Sequence, residues 1–104
     1  MENDIHVVAV LEVRPDGKDA METAVRACVS ASRDEEGCLM YAGHWDHSDP
    51  NRVVFVEHWT SQAALDEHAT RPHFKAFIDA IGDLVQGQPD ILTLREIKWR
   101  RTGA

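Results

Sequence analysis

Hydrophobic and polar residues along this chain follow the spacing of strands and helices in turn. The first segment, residues 5–14, is apolar at alternate positions on both sides and rich in β-branched residues. One side carries Val7, Ala9, Leu11 and Val13, and the other carries Val8 and Val10. Such a segment predicts a strand that is covered on both faces.

A helix is predicted over residues 18–33, after a turn at residues 15–17, whose sequence is Pro-Asp-Gly. Its apolar residues recur with the spacing of an amphipathic helix. They are Met21, Ala24, Val25, Cys28 and either Ala31 or Ser32. The charged run 33–36, which includes Glu35, is interpreted as a solvent-exposed end, and Gly37 can reverse the chain.

Residues 37–46 and 52–59 are predicted to form an antiparallel hairpin, because a turn sequence with Asp49 and Pro50 separates them. If Asp46 pairs with Asn51, Tyr41 lies beside Val56 on one face. The other face then holds Cys38, Met40, Ala42, His44, Val53, Phe55, Glu57 and Trp59. A shift of the pairing by one residue would exchange the two faces.

The next helix is predicted to begin at a cap formed by Thr60 or Ser61 and to carry Ala64, Leu65 and His68 on one side. Pro72 interrupts it, because a proline forces the preceding residue out of helical geometry. A second helical segment follows, which Gly87 and Pro89 are predicted to end. Its apolar stripe is Phe74, Phe77, Ile78 and Ile81, extended by Leu84 and Val85. The last strand is predicted over residues 91–98.

The predicted order β-α-β-β-α-β is typical of the ferredoxin-like α+β fold, a four-stranded antiparallel sheet with its helices on one face. Two helices cover only one face, yet the strands are apolar on both. An uncovered apolar face of that size is rare on a monomer, so we expect a homodimer whose sheets pack together. Residues 1–104 are predicted to form a single domain, with residues 99–104 as a flexible tail.

Composition narrows the classes of partner. The net charge of -7 would repel phosphate backbones, so nucleic acid is not an expected partner. No uncharged stretch is long enough to cross a bilayer and residues 1–11 lack the pattern of a secretory signal, so we expect a cytoplasmic protein without a membrane partner. Cys28 and Cys38 are interpreted as buried thiols, and a disulfide between them is the alternative.

Several separated sequence pieces occur in an order that resembles one protein family. They are EEGCLMY at residues 35–41, Asp46 and the Asp-Pro pair 49–50, the Glu-x-Trp spacing of Glu57 and Trp59, ALDEH at 64–68 and PHF at 72–74. Together they resemble the antibiotic biosynthesis monooxygenase family, including its quinol monooxygenases, over about residues 5–81. The resemblance implies a dimeric α/β barrel that oxidises phenols or quinols with O2, without metal, flavin or haem.

The implied reaction indicates which residue types matter. Because side chains supply no redox centre, the substrate itself must provide the electrons, while the protein removes a phenolic proton and excludes water. His68 is the candidate proton acceptor or hydrogen-bond donor, since an imidazole can do either near neutral pH. The alternative is a core histidine bound to a backbone carbonyl.

Glu57 and Trp59 are the other candidate catalytic residues. The indole N–H of Trp59 can orient a substrate oxygen, or the ring can simply pack in the core. A carboxylate among apolar neighbours needs a partner, so Glu57 either holds His68 in one tautomer or binds an arginine at the dimer interface.

Six further residues are candidates for binding the substrate. They are Tyr41, Phe55, Leu65, His73, Phe74 and Phe77. We expect no metal, because His44, His47 and His58 lack the spacing of known metal motifs and the predicted pairing places His44 and His58 on opposite faces. By resemblance, a haem-degrading branch of the fold uses an Asn on the first strand and a His on the last helix. This chain has residues near Val10 and Ile78 at those positions, so it lacks the residues for haem degradation.

The sequence therefore predicts a cofactor-independent monooxygenase that acts on a phenolic or quinol-type aromatic substrate with O2. A non-catalytic dimer of the same fold, which binds a small ligand or serves a stress response, is the alternative. The two differ in whether His68 is needed for turnover.

Overall fold

The computed structural model describes residues 3–101, which form four strands and three α-helices. In chain order these are β1 (Ile5–Val13), α1 (Lys18–Ser32), β2 (Cys38–Trp45), β3 (Arg52–Trp59), α2 (Gln62–His68), α3 (Pro72–Ile81) and β4 (Val85–Leu94), with a 3-10 turn at Pro15–Gly17 before α1. The strands form one antiparallel sheet in the order β2-β3-β1-β4. This order confirms the predicted ferredoxin-like α+β fold.

The hydrophobic core lies between one face of the sheet and the helices. We call this sheet face the inner face and the opposite one the outer face. Strand periodicity determines the faces, since the odd-numbered residues 7–13 of β1 and 53–59 of β3 are buried and the even-numbered ones are half-buried. The buried apolar residues are Val7, Ala9, Leu11, Val13, Met21, Cys28, Tyr41, Val53, Phe55, Trp59, Phe77 and Ile81.

The pairing of β2 with β3 differs from the prediction by one residue. The backbone N–H of Asp46 donates to the carbonyl of Arg52, not to that of Asn51. Tyr41 consequently pairs with Glu57 on the inner face. The loop between β2 and β3 is therefore one residue longer than predicted. A side-chain contact that sequence spacing does not reveal stabilises it, because the Asp49 carboxylate accepts a hydrogen bond from the N–H of Asn51 at 3.0 Å.

The break between α2 and α3 matches the prediction. The Ser61 hydroxyl accepts a hydrogen bond from the N–H of Ala64 at 3.1 Å and caps α2. Arg71 is extended, with φ -70° and ψ 145°, immediately before Pro72. The resulting bend lets α3 follow a different direction from α2, so that both helices border the same cavity.

The end of the second helical segment was predicted wrongly. The helix ends at Ile81, and Val85 already belongs to β4, which runs to Leu94 instead of spanning 91–98. Gly87, with φ +72°, lies at the irregularity where the β1–β4 pairing shifts. Pro89 is tolerated because β4 is an edge strand, where a missing N–H breaks no ladder bond on the open side.

The outer face carries apolar side chains that the described chain does not cover. Met40, Leu92 and Leu94 are 42%, 51% and 41% exposed. Residues 95–101 have no regular secondary structure, and residues 102–104 of the predicted tail lie outside the described range. Among residues 3–101, no helix is long and apolar enough to cross a membrane.

Candidate active site

A cavity of about 250 Å³ lies between the inner face of the sheet and the helices α2 and α3. Most of its wall is apolar, including Leu11, Phe55, Leu65, Phe74, Phe77 and Ile81. Tyr41, Glu57 and His68 are the polar side chains on its buried side, whereas Gln62 and Asp66 are exposed on α2. An apolar cavity with a few polar groups is the usual form of a small-molecule site.

His68 is the last residue of α2, and its side chain is only 3% exposed. Its Nδ1 lies 2.6 Å from Oε2 of Glu35, so Nδ1–H donates to the carboxylate and Nε2 keeps its lone pair. Nε2 is buried, and no group among residues 3–101 forms a hydrogen bond with it. His68 therefore has an unpartnered proton acceptor, and its side chain forms part of the cavity wall.

The side chain of Glu35 is only 7% exposed. Its Oε2 also accepts a hydrogen bond from Nε2 of His73 at 2.8 Å, and Nε of Arg71 lies 3.8 Å from Oε1. The interpretation of residues 33–36 as a solvent-exposed end is thus wrong for Glu35. Sequence spacing could not reveal this pairing, because His68 lies 33 residues further along the chain.

The environment of His68 favours the neutral imidazole. Burial lowers its pKa, while the hydrogen bond and negative charge of Glu35 act in the opposite direction. At neutral pH the ring is therefore able to accept a proton at Nε2. Once it is protonated, the Glu35 carboxylate stabilises the imidazolium and keeps the ring oriented, as in other histidine–carboxylate pairs.

Glu57 and Trp59 form a hydrogen-bonded pair on the inner face of the sheet. The Trp59 indole Nε1–H donates to Oε1 of Glu57 at 2.9 Å. Glu57 lines the cavity, but Trp59 does not, and its exposure is 0%. Within the described chain the hydrogen-bond partner of Glu57 is therefore Trp59, and not His68. Burial raises the pKa of Glu57, although the Trp59 hydrogen bond opposes this shift.

Tyr41 lies on the cavity side of the sheet, contrary to the predicted face. Its ring contributes to the wall, and its hydroxyl lies 3.5 Å from Sγ of Cys28 on α1. Burial raises the pKa of the Tyr41 hydroxyl, so it stays protonated in the folded protein. The tyrosine therefore provides an aromatic surface rather than an anion.

The other predicted substrate-binding residues divide into two groups. Phe55, Leu65, Phe74 and Phe77 line the cavity, and the Phe74 ring lies 4.8 Å from that of His68. His73 does not line it but is hydrogen-bonded to Oε2 of Glu35, the oxygen that also contacts His68. His73 is thus a partner of the histidine–carboxylate pair and not part of the wall.

The structure also changes the interpretation of the histidines near the hairpin. His44 pairs with Val54, and His58 with Met40, so His44 and His58 share the outer face instead of lying on opposite faces. Two groups in the described range bring possible metal ligands within 4.8 Å of one another. They are Asp4, His6 and His58, and Glu35, His68 and His73.

The fold and the cavity define a small α+β protein with a buried histidine–carboxylate pair beside an apolar cavity. Residues 4–80 match the family model described as antibiotic biosynthesis monooxygenase, and the chain belongs to that family.

Similar proteins occur in several bacteria. A protein of Synechocystis is 31% identical over 90 residues, which cover 86% of this chain and 61% of that relative, so this chain spans about three fifths of its length. Rv0793 of Mycobacterium tuberculosis, whose name proposes a monooxygenase, is 31% identical over 85 residues, covering 82% of this chain and 83% of that protein.

The solved structure of Rv0793 has a TM-score of 0.87 with this chain at 25% identity, covering 95% of this chain and 100% of the other. YgiN of Escherichia coli, whose name proposes a quinol monooxygenase, is 31% identical over 91 residues, covering 77% of this chain and 88% of that protein.

Proposed function

We propose that this protein is a cofactor-independent monooxygenase that oxidises a phenolic or quinol-type aromatic molecule with O2. The observation that carries the proposal is the unpartnered, buried Nε2 of His68 beside an apolar cavity, with Nδ1 bound to Glu35. The family and the names of the relatives Rv0793 and YgiN agree with this assignment.

The residues around the cavity suit the first step of such a reaction. The aromatic ring of the substrate packs among Phe55, Phe74 and Phe77, which places a phenolic O–H toward His68. His68 Nε2 accepts the phenolic proton, and Glu35 stabilises the imidazolium that forms. The phenolate is a better electron donor than the phenol, so it can react with O2.

The apolar wall supports the later steps by excluding water from the reactive intermediate. One oxygen atom of O2 enters the product and the other leaves as water, and the substrate supplies all the electrons. For a phenol or quinol this balance yields a quinone or a hydroxyquinone. Glu57, whose pKa is raised by burial, provides a second polar group for a second substrate oxygen.

The protein acts as a homodimer in this proposal. Met40, Leu92 and Leu94 on the outer face are apolar and exposed, and a second copy would cover them.

The experiment follows O2 uptake with a panel of dihydroxyaromatic compounds. His68→Asn is the sharp variant, because the Asn amide can replace Nδ1 as a donor to Glu35 but offers no group at the position of Nε2. We expect His68→Asn to lose at least about 100-fold in rate, the usual contribution of a general base. His47→Asn, in the exposed hairpin loop, is the matched control and should retain full activity.

Equal O2 uptake by wild type and His68→Asn across the panel would refute the catalytic proposal. If the wild type binds these compounds but takes up no O2 with any of them, the non-catalytic ligand-binding dimer becomes the better account.

A further inference from the structure

A second group of polar side chains lies on the outer face of the sheet, opposite the cavity. His6 of β1 pairs directly with His58 of β3, and their rings stack with centroids 4.0 Å apart and 13° between the planes. Asp4 lies just before β1, and its side chain is only 5% exposed. A buried carboxylate thus lies beside two imidazoles at one end of the sheet.

The carboxylate oxygens of Asp4 have different neighbours. Oδ2 lies 2.6 Å from Nε2 of His58 and 4.0 Å from Nε2 of His6. Oδ1 faces the Lys98 ammonium at 3.6 Å. Both imidazoles therefore direct a ring nitrogen to the same oxygen, while the lysine lies on the other one.

His6 Nε2 is the unexplained atom of this group. It is buried, and no group among residues 3–101 forms a hydrogen bond with it. Its nearest anionic neighbours are Asp4 at 4.0 Å and Glu96 Oε1 at 3.9 Å, both beyond hydrogen-bond distance. Buried polar atoms without partners are rare in folded proteins, and a ligand between these groups would supply the partner that this nitrogen lacks.

We propose that Asp4, His6 and His58 bind a divalent transition-metal ion such as zinc, with Glu96 able to reach the fourth position. Imidazole nitrogens and carboxylate oxygens are normal zinc ligands, at about 2.0–2.2 Å from the ion. Two such ligands on a tetrahedral ion are about 3.3 Å apart. The observed 2.6 Å and 4.0 Å lie on either side of this value, so small movements would fit an ion.

The other histidine group is a weaker candidate for a metal. There, Nδ1 of His68 and Nε2 of His73 are both already hydrogen-bonded to Oε2 of Glu35, at 2.6 Å and 2.8 Å. An ion would have to break both bonds. In the Asp4 group the bond between His58 and Asp4 is affected, and the 3.3 Å bond from Lys98 to Glu96 is affected only if Glu96 takes the fourth position. The buried nitrogen of His6 gains a partner.

An ion at this site would connect three separate segments of the chain. Asp4 and His6 belong to the start of β1, His58 to the end of β3, and Glu96 to the segment after β4. Because only the folded chain brings these groups together, the ion would stabilise the folded state by mass action. Lys98 contacts Oδ1 of Asp4, so it leaves Oδ2, the oxygen that the imidazoles face, available to the ion.

The test uses untagged, metal-depleted protein in two titrations. Calorimetry measures the binding of zinc chloride, and visible absorption measures the binding of cobalt chloride. We expect one ion per chain with micromolar or tighter affinity and the intense cobalt bands of a tetrahedral site. His6→Ala and His58→Ala should each weaken zinc binding at least about tenfold, since even partners of the ligands contribute that much. Zinc should also raise the thermal midpoint of the wild type but not of these variants.

Two controls separate this site from the other histidines. His44→Ala removes an imidazole from the same sheet face, and His68→Asn changes the other histidine group; both should bind zinc like the wild type. Absence of saturable zinc binding, retention of full affinity in His6→Ala, or loss of binding in His68→Asn would each overturn the proposal. His6→Ala is decisive even if His58→Ala unfolds, because Nε2 of His6 makes no hydrogen bond that the fold would lose.

Discussion

Replacing Glu35 with glutamine tests whether the buried carboxylate supports proton transfer by His68. A glutamine at this position can still accept a hydrogen bond from Nδ1, but it carries no charge to balance the imidazolium. Glu35 does not line the cavity, so substrate binding should change little. The substitution therefore separates the orientation of the ring from its electrostatic support.

The size of the effect follows from the 2.6 Å contact between the carboxylate and the ring. Hydrogen bonds to charged groups contribute roughly 1–2 kcal/mol more than neutral ones. Since the imidazolium forms only after proton transfer, this difference acts on the barrier. We expect Glu35→Gln to lower kcat about 5- to 30-fold, with KM nearly unchanged.

The pH dependence provides a second readout. Glu35 raises the pKa of His68 against the effect of burial, so its removal should lower that pKa further. A base is active when deprotonated, so the acid limb of the kcat/KM profile should move to lower pH while the plateau falls. NMR titration of the His68 ring measures the same shift without a substrate.

Glu36→Gln is the matched control, because Glu36 is the exposed neighbour of Glu35. A Glu35→Gln enzyme with a change in kcat below about twofold and an unmoved acid limb would refute the role assigned to the carboxylate. A uniform loss of activity at every pH, with no change in the His68 titration, would indicate a purely structural role instead.

Two further predictions concern stability and assembly. Burial raises the pKa of Glu57 above the ordinary value of 4.5, so ionisation of this carboxyl group destabilises the fold as pH rises. Glu57→Gln removes the ionisation and should raise the free energy of unfolding near neutral pH by roughly 1 kcal/mol. Urea unfolding should show this gain disappearing below about pH 4, and an equal gain at every pH would contradict the explanation. For assembly, sedimentation should show a wild-type dimer and a folded Leu92→Glu monomer, because a charge on the outer face opposes sheet packing. A monomeric wild type at micromolar concentration would exclude the dimer.

The sequence by itself determined the elements and most of their order. Alternating apolar residues in 5–14 and 52–59, and helical spacing from Met21 to Cys28, require particular faces to be buried whatever the rest of the chain does. The Ser61 cap and the break at Pro72 are equally local, since each depends on one residue and its immediate neighbours. These features were therefore predictable from spacing alone.

Only the tertiary structure decided which side chains meet at the cavity. The face of Tyr41 depended on a single residue of pairing between β2 and β3, which was set by contacts within the hairpin loop. The helical spacing that continues to Val85 could not show that the chain enters β4 there, because periodicity does not distinguish a short helix end from an edge strand. Glu35 looked like part of a solvated charged run, and only the approach of α2 buries it against His68. Long-range pairing leaves no trace in local spacing, and this is why the sequence indicated His68 but not the carboxylate that holds it.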